Sequence, residues 1–148
     1  MKTRFQAIGL FAVTALATLL TSPLDAREPS IVVAGRPVIE TSSPEMSVIS
    51  QANAQRARHG LPPLAVDSQL MSSASRHAQW MASSRNLSHG SGVAENIAMG
   101  QTSASEAMRS WMNSSGHRAN ILGSGYTRIG VGVAYSSNGT PYWCQQFR

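Results

Sequence analysis

Residues 88–122 read SHGSGVAENIAMGQTSASEAMRSWMNSSGHRANIL, and the rest of the chain is arranged around them. The stretch holds two histidines, His89 and His117, and one central carboxylate, Glu95, among small and polar residues. Gly90 and Gly92 lie between His89 and Glu95, so a turn there can fold the two side chains back on each other. His117 follows Gly116 at an expected helix start, where the helix dipole favours the neutral imidazole that binds metal or acts as a base. Two His and one Glu make a zinc set with a position open for water, or an acid–base pair. They also suit a plainer role as capping and hydrogen-bonding groups of a loop-rich face. No HExxH helix is present, so the strongest zinc-hydrolase motif is absent. Ser88, Ser91, Ser114 and Ser115 are close in sequence, but no GxSxG elbow presents one of them as a nucleophile.

Within the stretch, Ser103-Ala104-Ser105-Glu106 is a capping box that opens a helix with Ala107, Met108, Trp111 and Met112 on its apolar face. Asn113-Ser114-Ser115-Gly116 ends it, and His117–Leu122 forms a further short helix before Gly123. Downstream the period changes. Ile129, Val131, Val133 and Tyr135 alternate with Gly130, Gly132 and Ala134, a strand pattern in which the glycines admit another layer closely. Ser136-Ser137-Asn138-Gly139 is a hairpin turn, and Tyr142–Phe147 pairs back. Upstream, Ser43-Pro44-Glu45 starts a helix with Met46, Ile49, Asn53 and Arg56 on one face, stopped by His59-Gly60 and Pro62-Pro63. Asp67 caps a second helix whose core side carries Leu70, Ala74, His77, Ala78 and Met81. His77 is expected there as a satisfied core histidine, and Met46, Met71, Met81, Met108 and Met112 as core filler. With a further strand from 87–97, the fold class is α+β, helices packed on an antiparallel sheet.

The N-terminus has a different character. Lys2 and Arg4 precede an apolar run to Leu20, a Pro23 break and a small residue, Ala26, which is the layout of a secretory signal over 1–26. Residues 27–43 read as a linker or arm, with Ile31-Val32-Val33 and Pro37-Val38-Ile39 each able to add a short edge strand. No other run is long and apolar enough to cross a bilayer. The chain carries net charge +5; loss of Lys2, Arg4 and Asp25 on cleavage leaves +4, all the remaining bases being scattered arginines. No basic run interleaves with aromatics, so nucleic-acid binding is not expected. The single cysteine, Cys144, lies in an apolar strand and is expected to be buried. A free thiol and a link between two chains are the alternatives, and a monomer is the expected state.

The order HGLPPL, HA, SHG, AENIA, W-x-x-S-x-GHRANIL, Y-x-x-IGVGVAY and PYWCQQF resembles the CAP superfamily. That is the domain of cysteine-rich secretory, antigen 5 and pathogenesis-related 1 proteins, also called the SCP domain, here similar to its compact bacterial secreted members. The likeness runs from about Ser47 to Phe147, within a domain at 44–148. It implies an α-β-α sandwich with a central antiparallel sheet and a cleft of two His and two acidic residues, which holds zinc or another divalent ion in some members. By motif, the cleft residues are His89, Glu95 and His117, which are also the implied metal ligands; Glu95 and His117 are the candidates for any catalysis. Ala94 replaces the usual Gly before Glu95. The second acid falls where this chain has Trp111-Met112-Asn113-Ser114, so Asn113 and Ser114 are left to hydrogen-bond a ligand. Family functions range over sterol and lipid binding, action on cell walls and occasional proteolysis, so the fold alone implies no reaction. The expectation is a secreted or periplasmic protein whose cleft binds a small hydrophobic ligand, an envelope component or a divalent metal. A secreted hydrolase and an inactive structural cleft are the rivals.

Overall fold

The structure is a computed structural model that describes residues 43–148. The expected signal at 1–26 and the arm up to residue 42 lie outside the described residues. The elements are α1 (Pro44–Arg58), β1 (Ala65–Val66), α2 (Ser68–Ser84), β2 (Ala94–Met99), α3 (Ala104–Asn113), α4 (Ser115–Ile121), β3 (Arg128–Tyr135) and β4 (Pro141–Phe147). One sheet runs in the order β1-β3-β4-β2. β2, β4 and β3 pair antiparallel, and the two-residue β1 adds a parallel edge beside β3. α2 covers one face of the sheet and α1, α3 and α4 cover the other. This is an α-β-α arrangement.

Local signals start the helices. The side chains of Ser43, Asp67 and Ser103 each accept a hydrogen bond from the first turn they cap, each cap being worth about 1 kcal/mol. Glu106 reaches one residue beyond the expected capping box, accepting from the N–H and hydroxyl of Thr102 at 2.7 and 2.9 Å. Only Ser114 separates α3 from α4, so the break is shorter than the four residues expected, and His117 sits in the first turn of α4.

The two sheet faces are built differently. Against α2, a Cβ on Gly130 would stand 2.2 Å from the carbonyl carbon of Leu70, and one on Gly132 would stand 2.4 Å from the Ser75 nitrogen. The helix backbone therefore rests on the strand backbone, as the glycine pattern implies. The opposite face is filled by side chains, with Trp111, Trp143, Phe147, Ile121, Ile129 and Val131 buried. Burying each large apolar side chain contributes roughly 1.5–3 kcal/mol. Met46 is a correction to the expected core. It is 42% exposed, because the buried stripe of α1 is Val48, Ile49, Ala52 and Arg56.

Arg56 is fully buried. It donates to the carbonyls of Pro62, Ile121, Gly123 and Tyr126 at 2.8–3.3 Å. Carbonyl oxygens stand in for the hydration the cation gives up, and the contacts tie α1 to the end of α4 and the loop before β3. At the outer edge of the sheet, Asn120 donates to Glu95 O and Trp111 to Ile97 O. These side chains occupy the edge acceptors of β2, which shields that edge from pairing with another chain.

Candidate functional site

Glu95 and Asn96 are consecutive residues of β2, so they point to opposite faces of the sheet. Glu95 faces the α2 layer, its side chain 3% exposed. Its Oε1 accepts from the Gly90 N–H at 3.0 Å and from His89 Nδ1 at 3.2 Å. Its Oε2 accepts from Gln146 Nε2 at 3.0 Å and from the Cys144 thiol at 3.2 Å. Burial works to raise the carboxyl's pKa, but the donors Gln146, Gly90 and Cys144, together with the charge of His77, outweigh it and hold Glu95 below the usual glutamate range. Glu95 is thus an anion that only accepts. The Cys144 thiol responds in the opposite sense: burial and the neighbouring carboxylate push it far up, so it stays a neutral donor. Cys144 is fully buried, as expected for that strand.

The glycine-rich turn does the folding back that its composition suggests. Gly92 takes φ +91°, a conformation that side chains disfavour. Gly90 lies against Glu95 and His77, where a Cβ would be 3.4 Å from Glu95 Oε2. The turn carries His89 over the carboxylate with 57% of its side chain exposed. Since the carboxylate only accepts, Nδ1 of His89 carries a proton, and Nε2 is the ring atom left to meet a ligand. His117 enters from α4, its ring centroid 6.4 Å from that of His89. Burial and then the facing His89 push His117 below the usual histidine range.

A third histidine belongs to the group. His77, on α2, donates through Nε2 to Ser88 O at 2.9 Å, and the same nitrogen lies 3.6 Å from Glu95 Oε1. It is partly buried rather than a core residue, and it stacks on the half-exposed Trp80 with centroids 5.7 Å apart. On the other face, the amide of Asn96 donates to His117 O and Gln145 Oε1 and accepts from Asn120 Nδ2. This fixes the start of α4, and with it His117. Sequence reasoning missed His77, Gln146, Cys144, Gln145 and Asn120 as parts of the site. The alternation of Cys144, Gln145 and Gln146 across from Glu95 and Asn96 was the available signal.

The structure therefore brings His89, Glu95 and His117 together. Asn113 is placed elsewhere, exposed in a groove of about 380 Å³ between α1 and α3 with Arg58, Arg109 and Met112. Ser114 is the N-cap of α4, with no side-chain capping bond. Among the described residues, no group of three or more His, Cys, Asp or Glu is arranged to hold a metal ion. Both Glu95 oxygens are committed to protein donors, and a zinc site takes three or four protein ligands. The residues present do not fit a resident zinc, because only the His89 and His117 rings remain as donors.

Residues 49–147 match the cysteine-rich secretory protein family, CAP. The Bacillus subtilis (strain 168) protein YkwD is 38% identical over 124 residues, covering 72% of this chain and 47% of that protein. An extracellular SCP-domain protein from Bacillus anthracis superposes with a TM-score of 0.61 at 28% identity, over 71% of this chain and 40% of that one. A cysteine-rich secretory protein from Staphylococcus aureus gives 0.58 at 25% identity, over 76% and 40%. The chain thus spans less than half the length of these relatives. It shares the mixed α and β fold of the solved SCP-domain structures, and it belongs to the cysteine-rich secretory protein (CAP) family.

Proposed function

We propose that this chain is an exported, monomeric binding module whose cleft takes the polar group of a lipid or envelope component and carries out no reaction. The observation behind this reading is the state of Glu95. A general base must offer a lone pair to water or substrate, and here the carboxylate is buried with both oxygens spent on four donors. Its role is to fix the His89 tautomer, leaving His89 Nε2 and His117 as the ligand-facing groups. The buried thiol of Cys144 favours a monomer over a linked pair. In the test, protein purified from its native secretion is extracted with organic solvent and examined by mass spectrometry beside His89→Ala and His117→Ala. A molecule retained by wild type and lost from both variants is expected. Peptidase or esterase turnover that disappears in His89→Ala would replace this reading with a hydrolase whose base is His89.

A second reading, carriage of a lipid's apolar body, is supported by the groove between α1 and α3. It combines Ala54, Met108 and Met112 with Arg58 and Arg109, a lining that suits an anionic amphiphile. Uptake of a labelled sterol and a labelled fatty acid by wild type and Met112→Arg tests it. No uptake of either by wild type removes it.

A further inference from the structure

The C-terminal turn of α2 and the end of β3 enclose a second depression, of about 520 Å³, on the α2 side of the molecule. Its lining includes Gln79, Ser84, Arg85, Tyr135 and Ser137, with the buried Ala82 beneath them. The volume lies in the range of small-ligand sites, about 300–1,000 Å³, and the lining is mixed, polar side chains sharing it with the ring of Tyr135. Tyr135 is 60% exposed, the most exposed of the large hydrophobic side chains. Arg85 is exposed, and none of the carboxylate side chains among the described residues (Glu45, Asp67, Glu95, Glu106) lines the depression. The guanidinium donates to Ser137 Oγ at 2.6 Å, which aims it across the depression from the helix towards the hairpin.

The backbone of Arg85 is equally informative. It closes α2 at φ 53°, ψ 33°, and it is the one non-glycine residue with positive φ among the described residues. Glycine or asparagine is the usual occupant of that position. An arginine there sacrifices backbone comfort and gains a fixed cation beside an exposed ring. Stacking on an aromatic face, planar donors such as Arg and Gln, and serine hydroxyls are the groups that recognise a sugar ring. An unpaired arginine adds a fork for a carboxylate or phosphate.

We propose that this depression binds an acidic sugar unit, its ring on Tyr135 and its anionic group on Arg85, independently of the histidine cleft. The test is calorimetric titration of the whole protein with four probes. These are a muramic-acid disaccharide bearing a carboxylate, N-acetylglucosamine 1-phosphate bearing a phosphate, neutral chitobiose, and inorganic phosphate. At least one anionic sugar is expected to bind about tenfold more tightly than chitobiose, and the tighter of the two identifies the anionic group. Arg85→Gly, which suits the left-handed backbone and so keeps the fold, is expected to erase that preference. Tyr135→Ala, at an exposed position, is expected to weaken every sugar about tenfold while leaving the phosphate response unchanged. Absence of sugar binding by wild type at millimolar concentration overturns the proposal. So does a response to inorganic phosphate equal to that of the sugars and insensitive to Tyr135→Ala, which marks simple anion attraction.

Discussion

Glu95 and Asn96 occupy adjacent positions of one strand and belong to different halves of the molecule. On the α2 side, a helix lies directly on glycine backbone, and the polar groups there converge on a buried anion. On the α1, α3 and α4 side, aromatic side chains fill the space, and the polar groups are neutral amides plus one cation held by carbonyls. The first half makes the floor of the cleft and places His89. The second half carries no charge into the cleft but sets the position of α4, and so of His117. One strand thus supplies charge to one layer and alignment to the other, and the cleft exists only where both layers meet at the edge of β2.

The largest effects are expected on removing the central support of each half. Arg56→Ala leaves the carbonyls of Pro62, Ile121, Gly123 and Tyr126 without their donor. The expected loss is about 3–5 kcal/mol, a large share of the roughly 5–15 kcal/mol that holds such domains together. On the other half, Gly130→Ala drives a Cβ into the α2 backbone, and about 3 kcal/mol is expected because neither backbone can yield cheaply. Urea midpoints at unchanged slope measure both. Losses under 1 kcal/mol in either variant would show that the layers are not seated as described.

Smaller changes at the paired positions sharpen the contrast. Asn96→Ala strands three partners, one of them fully buried, and should cost about 2–3 kcal/mol at neutral pH. Glu95→Gln should cost about 1 kcal/mol at neutral pH, since the Gln146 amide can turn to present its unpartnered Oε1 to the new side chain. The pH dependence separates the two. The folded pKa of Glu95 lies below its ordinary value of 4.5, so its contribution is fully present above that value and is lost as pH falls through the depressed one. The gap between wild type and Glu95→Gln should therefore close on acidification, whereas that of Asn96→Ala, which removes no carboxylate, should remain open at pH 3. Urea titrations from pH 3 to 7 test this, and a Glu95→Gln gap that persists at pH 3 would contradict the hydrogen-bonded anion.

What the sequence made legible follows the range over which each interaction acts. Helix starts at Ser43, Asp67 and Ser103 were readable because cap and partner lie within three residues. The glycines of β3 announced a close layer without saying which helix would fill it. His89, Glu95 and His117 were found by spacing and by family pattern. His77 was read as core because its face of α2 is apolar, and the partner that draws it to the cleft, Ser88 O, comes from a loop whose path the pattern does not encode. Arg56 was placed on a helix face, but three of its four carbonyls lie 65 to 70 residues away. The placement of Asn113 has the same origin: the α1 residues that line its groove, Gln51, Ala54, Gln55 and Arg58, are far from it in sequence.

The finest test lies where the halves touch. His117 is pushed below the ordinary histidine range first by burial and then by His89. The amide-held half fixes the start of the helix that carries the ring, through Asn96 and His117 O, and the charge comes from the anion-held half. His89→Ala removes only the second contribution, so the titration of His117, followed by its imidazole resonances, should move up towards the ordinary value without reaching it. Asn96→Ala loosens α4 and should move it up as well, by admitting water to the ring. If the two layers act on His117 separately, the double variant should show the sum of the single shifts. A His117 titration unchanged by His89→Ala would mean that the rings, 6.4 Å apart in the structure, do not share one cleft in solution.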